Sequence, residues 1–152
     1  LALVRPELKL TLLDSLQKRL TFLDELCKEL GIPVTLVHAR AEDGGHDPAL
    51  REQFDVATAR AVANLPVLCE YCLPFVKVGG QFLGMKGPSG DEELSAAKSA
   101  VKKLGGKTAQ VKTLTLDTAG EPFDRTLIFI DKIAETPSAY PRPAAKIKKS
   151  AL

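Results

Sequence analysis

Apolar and polar positions along this 152-residue chain follow two alternating periods, and the changes of period mark its elements. Leu10-Thr11-Leu12-Leu13 is a short apolar run that ends on Asp14 and Ser15. Leu16, Leu20, Leu23, Cys27 and Leu30 then recur at spacings of four, three, four and three. That spacing predicts an amphipathic helix with Ser15 as N-cap and Gly31 with Pro33 as its stop. A β-branched strand at 34–38 follows, then a polar loop, Ala39-Arg40-Ala41-Glu42-Asp43, ending at Gly44-Gly45. Phe54-Asp55-Val56-Ala57-Thr58-Ala59 predicts the next strand, with Arg60 directly after it. The distance from one strand to the next fits β-α-β crossovers.

Asn64 and Pro66 open a further helix that runs through Leu68, Cys72 and Phe75 to a turn at Gly79-Gly80. A strand at 81–85 ends in Lys86-Gly87-Pro88. Asp91 starts a helix with Leu94, Ala97, Val101 and Leu104 inward and Lys102 and Lys103 outward, stopped by Gly105-Gly106. Strands at 111–116 and 126–133 have no helix between them and can pair as an antiparallel hairpin across the 117–124 loop. The expected fold class is therefore α/β: a class I methyltransferase, Rossmann-like sheet, mostly parallel with an antiparallel C-terminal strand. That fold begins with a strand and a glycine-rich turn. Neither precedes Asp14, so the first strand is expected to be missing from the chain as given.

Composition narrows the class. With 45% hydrophobic residues the chain can bury one sizeable core. No apolar run approaches the roughly 20 residues that span a bilayer, and residues 1–10 lack the features of a secretory signal, so a cytoplasmic protein without membrane contact is expected. Position 1 is Leu, and Leu1-Ala2-Leu3-Val4 reads as the end of an amphipathic segment whose beginning is absent. The net charge of +2 is unevenly placed: Arg142, Lys146, Lys148 and Lys149 face no acid after residue 135, leaving 17 basic against 19 acidic residues before it. This divides the chain into a domain at 1–135 and a basic C-terminal tail at 136–152, either a phosphate-neutralising arm or a disordered solubilising one. Cys69 and Cys72 form a C-x-x-C, but packing explains them and Cys27 better than redox or zinc chemistry, and no metal site is expected. His38 and His46 read as structural or loop residues.

An acid at the tip of a strand in such a sheet is where the ribose of a bound adenosine is held, which makes Asp14 a candidate ligand contact; helix capping is the other reading. Taken in order, the segments resemble the bacterial 16S ribosomal RNA guanine-N7 methyltransferase family, also called the glucose-inhibited division protein B family. The resemblance rests on Thr11-Leu12-Leu13-Asp14-Ser15-Leu16-Gln17-Lys18-Arg19, Arg40-Ala41-Glu42, Phe54-Asp55-Val56 leading to Arg60-Ala61-Val62, and Met85-Lys86-Gly87-Pro88. Asp124-Arg125-Thr126-Leu127 and Thr136-Pro137 with Tyr140-Pro141-Arg142 extend it to nearly the whole chain. It implies an S-adenosylmethionine site with Asp14, Ser15 and Leu16 at the ribose and adenine edge, Ala41 and Glu42 flanking the adenine, and Arg60 beside the methionine part near the target base. The family's glycine-rich loop maps to nothing here. After Tyr140-Pro141-Arg142 the family continues with glycine, where this chain has Pro143.

The implied reaction is methylation of N7 of a guanine in the 530 loop of 16S ribosomal RNA. N7 carries a lone pair, so no base is needed, no general base is assigned, and Arg60 is the one positioning candidate. Lys86, Lys18, Arg19 and Arg142 are the candidate RNA contacts, and 16S ribosomal RNA or the small ribosomal subunit is the expected partner of a monomer. Two other readings stay open: a dinucleotide-dependent oxidoreductase, because Asp14 suits that ribose as well, and a noncatalytic RNA-binding fragment. A chain lacking the cofactor loop is expected to be inactive or poorly folded by itself.

Overall fold

The computed structural model describes residues 1–60, 62–118 and 121–152 and divides into two compact units, Leu1–Ala41 and Glu42–Leu152. In the first, strand β1 (Leu10–Asp14) leads through helix α1 (Gln17–Glu29) to strand β2 (Val34–His38). The strands pair in parallel, from Leu10 opposite Val34 to Asp14 opposite His38. Leu20 and Cys27, two turns apart, are the buried face of α1, as the spacing predicts. Leu16 and Leu30 differ: they are the N-cap and C-cap residues, and both are exposed.

The helix stop is a Schellman motif. Gly31, at φ +65°, lets its own N–H reach the Lys28 carbonyl and that of Ile32 reach the Cys27 carbonyl. The expected start needs correction. Leu16, not Ser15, is the N-cap, and the Asp14 carboxylate, two residues upstream, receives the Leu16 N–H at 2.8 Å.

The loop expected at 39–45 contains a short helix, α2 (Ala41–Gly44). In the second unit, strand β3 (Phe54–Arg60) is followed by helix α3 (Leu65–Cys72), a 3₁₀ turn (Leu73–Phe75), strand β4 (Val76–Lys86) and helix α4 (Gly90–Lys103). Strands β5 (Gly106–Thr118) and β6 (Glu121–Lys132) and helix α5 (Ala144–Lys149) complete it. The sheet order is β3-β4-β6-β5: β3 and β4 are parallel, and β6 inserts antiparallel to both β4 and β5. This is the antiparallel C-terminal strand expected from sequence. Asn64 caps α3 through the Val67 N–H at 3.2 Å, and Pro66 occupies its first turn, also as expected.

Leu65, Leu68, Cys69 and Leu73 meet Ala97, Ala100, Val101 and Leu104 over Val76, Phe82, Ile128 and Ile130, forming one cluster of buried side chains. Two strand limits differ from expectation. Gly79-Gly80 lies inside β4 rather than in a turn before it: Gly79, at φ +87°, takes up a register jump that leaves Phe54 opposite Val76 but Val56 opposite Gln81. The hairpin strands are also longer than predicted, pairing from Gly106 opposite Lys132 to Thr118 opposite Glu121, and Ala119 and Gly120 of the predicted loop lie outside the described residues.

Residues 136–152 are not a tail apart from a domain; they belong to the second unit. Arg51 donates to the carbonyls of Gly45, Thr136, Pro137 and Tyr140. Thr136 donates its N–H to Glu52 at 2.7 Å and its hydroxyl to the Leu104 carbonyl at 3.0 Å. His46 Nε2 donates to the Pro141 carbonyl at 2.7 Å, before which the Tyr140–Pro141 peptide is cis. Ile147 of α5 is 1% exposed. Lys132, equally buried, sends its ammonium to Glu52 at 2.8 Å and to the Leu73 and Val76 carbonyls at 2.9 Å each. No described helix is long and apolar enough to cross a membrane.

Two outcomes follow. A Cβ on Gly105, which stands at φ +79°, meets the Ala134 carbonyl oxygen at 2.1 Å, whereas one on Gly87 meets nothing within 4 Å. Gly105→Ala is therefore expected to cost about 2 kcal/mol or more in urea unfolding, and Gly87→Ala less than about 0.5. Burial alone would raise the Glu52 carboxyl, but hydrogen bonds from Lys132 and the Thr136 N–H, with the Lys132 and Arg51 charges, outweigh it and hold the group below its ordinary value. Its stabilisation is complete above the unfolded-chain value and is lost as pH falls through the lower folded one. Urea midpoints are expected to hold down to about pH 4.5 and then fall, and Glu52→Gln to lower the neutral-pH midpoint and flatten that fall.

Candidate functional site

The first unit presents its candidate residues where two parallel strands end together. Ligands of open α/β sheets bind outside the carboxyl ends of the strands, and β1 and β2 both finish at the Asp14–His38 pair. Asp14 Oδ1 accepts the Leu16 N–H at 2.8 Å and Oδ2 accepts Arg19 Nη1 at 2.8 Å. Desolvation pushes this carboxyl up, but the Leu16 and Ser15 amides and the Arg19 hydrogen bond and charge together hold it below its ordinary value. His38 donates from Nε2 to the Ser15 carbonyl at 3.2 Å, and the Ala39 N–H reaches the Asp14 carbonyl at 3.2 Å. Both connections at the rim are thus tied down, one by side-chain to main-chain bonds and the other by a main-chain bond. Ser15 and Leu16 are exposed there, and Ala41, the last residue of this unit, is half-buried.

A carboxylate offers about four acceptor positions. The Leu16 N–H and Arg19 take one on each oxygen of Asp14 and the Ser15 amide adds a weaker contact, so this side chain, 16% exposed, keeps acceptor capacity for a hydroxyl. Its Arg19 partner is 62% exposed, a pairing that contributes little and yields readily. Lys18 is exposed on the same helix.

Glu42 and Arg60 belong to the second unit. Glu42 is 8% exposed, unlike a solvated loop acid. Arg60 ends β3 opposite Met85 of β4 and is exposed, and its guanidinium makes no hydrogen bond or ion pair among the described residues. Ala61, part of the motif that follows it, lies outside them.

Two expected RNA contacts are built differently from a solvated surface cation. Lys86 is 9% exposed, with its ammonium 2.7 Å from Glu93 and 2.8 Å from the Ala63 carbonyl. Arg142 forks onto Glu70, with Nε at 2.9 Å from one oxygen and Nη2 at 2.7 Å from the other, and also donates to the Ser150 carbonyl. The Glu70 side chain has no exposed surface. A buried carboxylate left without its guanidinium is strongly destabilising, so Arg142 anchors the C-terminal segment.

Glu93 is the residue that sequence reading passed over. Its signal was an acid in step with the inward positions of α4, four residues before Ala97 and eight before Val101. The three thiols are unpaired, and burial pushes those of Cys69 and Cys72 up, the latter to about 12, which keeps them protonated. No cluster of metal-ligating side chains occurs among the described residues.

Comparison with known proteins places this arrangement. Residues 1–122 match the family model described as GidB, rRNA small subunit methyltransferase G. A ribosomal RNA small subunit methyltransferase G from Lactobacillus delbrueckii subsp. bulgaricus is 54% identical over 143 residues, 93% of this chain and 59% of that protein. One from Clostridium perfringens is 44% identical over 153 residues, 100% of this chain and 63% of the relative. The chain therefore spans about six-tenths of the length of the curated relatives it matches. Among solved structures, a 16S rRNA (adenine(1408)-N(1))-methyltransferase variant from Catenulisporales acidiphilia superposes with a TM-score of 0.68 at 16% identity, over 88% of this chain and 81% of that one. At that identity the likeness speaks for the fold, the class I methyltransferase sheet with its antiparallel strand. With the family model matching residues from Leu1 onward and the sheet agreeing independently, the chain belongs to the GidB family, rRNA small subunit methyltransferase G.

Proposed function

We propose that this chain works as an S-adenosylmethionine-dependent methyltransferase acting on N7 of a guanine in the 530 loop of 16S ribosomal RNA. The observation that carries the reading is the Asp14 carboxylate, ionised and with acceptor capacity to spare, at the common carboxyl end of two parallel strands. Family membership supports the rest. When bound, the cofactor supplies an electrophilic methyl group on its sulfonium. Asp14 accepts hydrogen bonds from the ribose hydroxyls, and the Ser15-Leu16 segment borders the adenine edge. Ala41 and Glu42 flank the adenine. Arg60, whose guanidinium is uncommitted among the described residues, serves the methionine carboxylate and the approach of the target base.

No group here takes a proton from the nucleophile, because guanine N7 attacks through a lone pair it already has. The work of the protein is alignment and exclusion of water. Lys18 and Arg19, exposed on α1, follow the RNA backbone, and RNA binding is accordingly salt-dependent. The same reading makes the protein a cytoplasmic monomer that meets either 16S ribosomal RNA or the small ribosomal subunit.

Titration calorimetry with S-adenosylhomocysteine tests this. The unchanged chain is expected to bind it and to give no heat with NADH. Asp14→Asn is expected to weaken binding by about tenfold or more, since hydrogen bonds to a charged acceptor contribute about 1.5–3 kcal/mol. Because neighbours hold the Asp14 carboxyl below its ordinary value, affinity stays level from pH 8 to about pH 5. No heat from S-adenosylhomocysteine overturns the reading, and RNA binding alone, indifferent to it, favours a noncatalytic module.

A further inference from the structure

A single carboxylate joins the tips of β3 and β4. Glu93 Oε2 lies 2.7 Å from the Lys86 ammonium and 2.7 Å from the Leu65 amide nitrogen, and Oε1 is 3.4 Å from the Ser89 hydroxyl. Lys86 Nζ also donates to the Ala63 carbonyl at 2.8 Å. Glu93 thereby fixes, through one oxygen, the connection after β3 that follows Arg60 and the residue that ends β4. The two side chains are 9% and 22% exposed, so salt screens the pair less than it screens surface ions.

The ammonium has three N–H groups. One goes to Glu93 and one to Ala63, and the third has no acceptor among the described residues. Lys132, fully buried at the other end of the same sheet, spends all three donors on protein acceptors, whereas Lys86 keeps one for a partner at the rim. Lys86 follows Met85, the register partner of Arg60, so the two strand tips are adjacent while the Lys86 and Arg60 side chains leave the sheet on opposite faces.

We propose that Glu93 is a positioning residue: by gripping Lys86 and the Leu65 amide with one oxygen, it directs the remaining Lys86 donor to an oxygen acceptor of the RNA substrate. This rests on the reading of the chain as an RNA methyltransferase. The cost of ordering a long flexible side chain is met in the folded protein instead of at the encounter with RNA, so affinity depends on Glu93 although Glu93 touches no RNA.

A double-mutant cycle on RNA affinity tests the coupling, with fluorescence anisotropy of a fluorescein-labelled 16S ribosomal RNA hairpin carrying the 530 loop. Lys86→Met is expected to weaken binding about tenfold and Glu93→Gln about threefold to tenfold, while the double variant binds no worse than Lys86→Met alone. Glu93→Asp keeps the charge but is one methylene too short to reach both partners, and it shows the same loss at a temperature where melting curves show every variant folded. A salt slope lowered by about one in Lys86→Met assigns the acceptor to a phosphate, and an unchanged slope assigns it to a base or sugar oxygen. The proposal is overturned if Glu93→Gln and Glu93→Asp bind like the unchanged chain, or if the losses multiply in the double variant. If the unchanged chain binds S-adenosylhomocysteine but not the hairpin, the proposal falls and the cofactor reading stands; if it binds neither, the functional reading falls as well.

Discussion

The Lys132 ammonium is the fixed point of the larger unit. It sits without exposed surface where β6 ends, and its three acceptors come from the α3–β4 junction and from Glu52, the residue whose other hydrogen bond receives the Thr136 N–H. Taking a cation out of water costs several kcal/mol, and only full satisfaction of its donors offsets that. The consequence is directional. The bond network exists only when β6 has threaded between β4 and β5 and the chain has turned at Thr136, so sheet order and the course of the C-terminal segment are specified together. Arg51 on four carbonyls and Arg142 on buried Glu70 extend the same logic along residues 136–152.

That dependence explains what could and could not be read from the residues. Elements whose signals are local were legible: α1 from its heptad of apolar positions, α3 from Asn64 and Pro66, the end of α4 from Gly105, the antiparallel pair from two strands without a helix between them. Asp14 was legible as well, because an acid ending an apolar run marks a strand tip whatever surrounds it. Composition misled at 136–152. Lysines and prolines there look like a solvated arm, but the anchors are single buried groups: Ile147, and Thr136, whose partners Glu52 and Leu104 are more than 30 residues away. Gly79 misled for a related reason. Its left-handed backbone suits a turn and a bulge equally, and only the partner strand decides. Glu93 was hidden in a run of three acids that reads as dipole compensation at a helix start, though one of the three faces inward.

The chemistry asked of the site matches the sparseness of its reactive groups. In the proposed reaction a lone pair on the nucleophile and an activated methyl on the cofactor leave alignment as the protein's task, so the protonated thiols and both imidazoles can serve packing and loop closure. Asp14, kept ionised by Arg19 and by amides, and Glu93, spanning two connections, are both carboxylates set by main-chain N–H groups. Main-chain donors move less than side chains, and each acid inherits the rigidity of the helix start it holds.

The outer border of β5 has a consequence of its own. As the last strand in the order it leaves a row of amides and carbonyls facing solvent, with Lys107 and Lys112 exposed along it. Another chain adding there as a further strand would have to bring its own backbone against these ammonium groups and strip their hydration. The long hairpin is thereby guarded against edge-to-edge self-association while nascent copies crowd together.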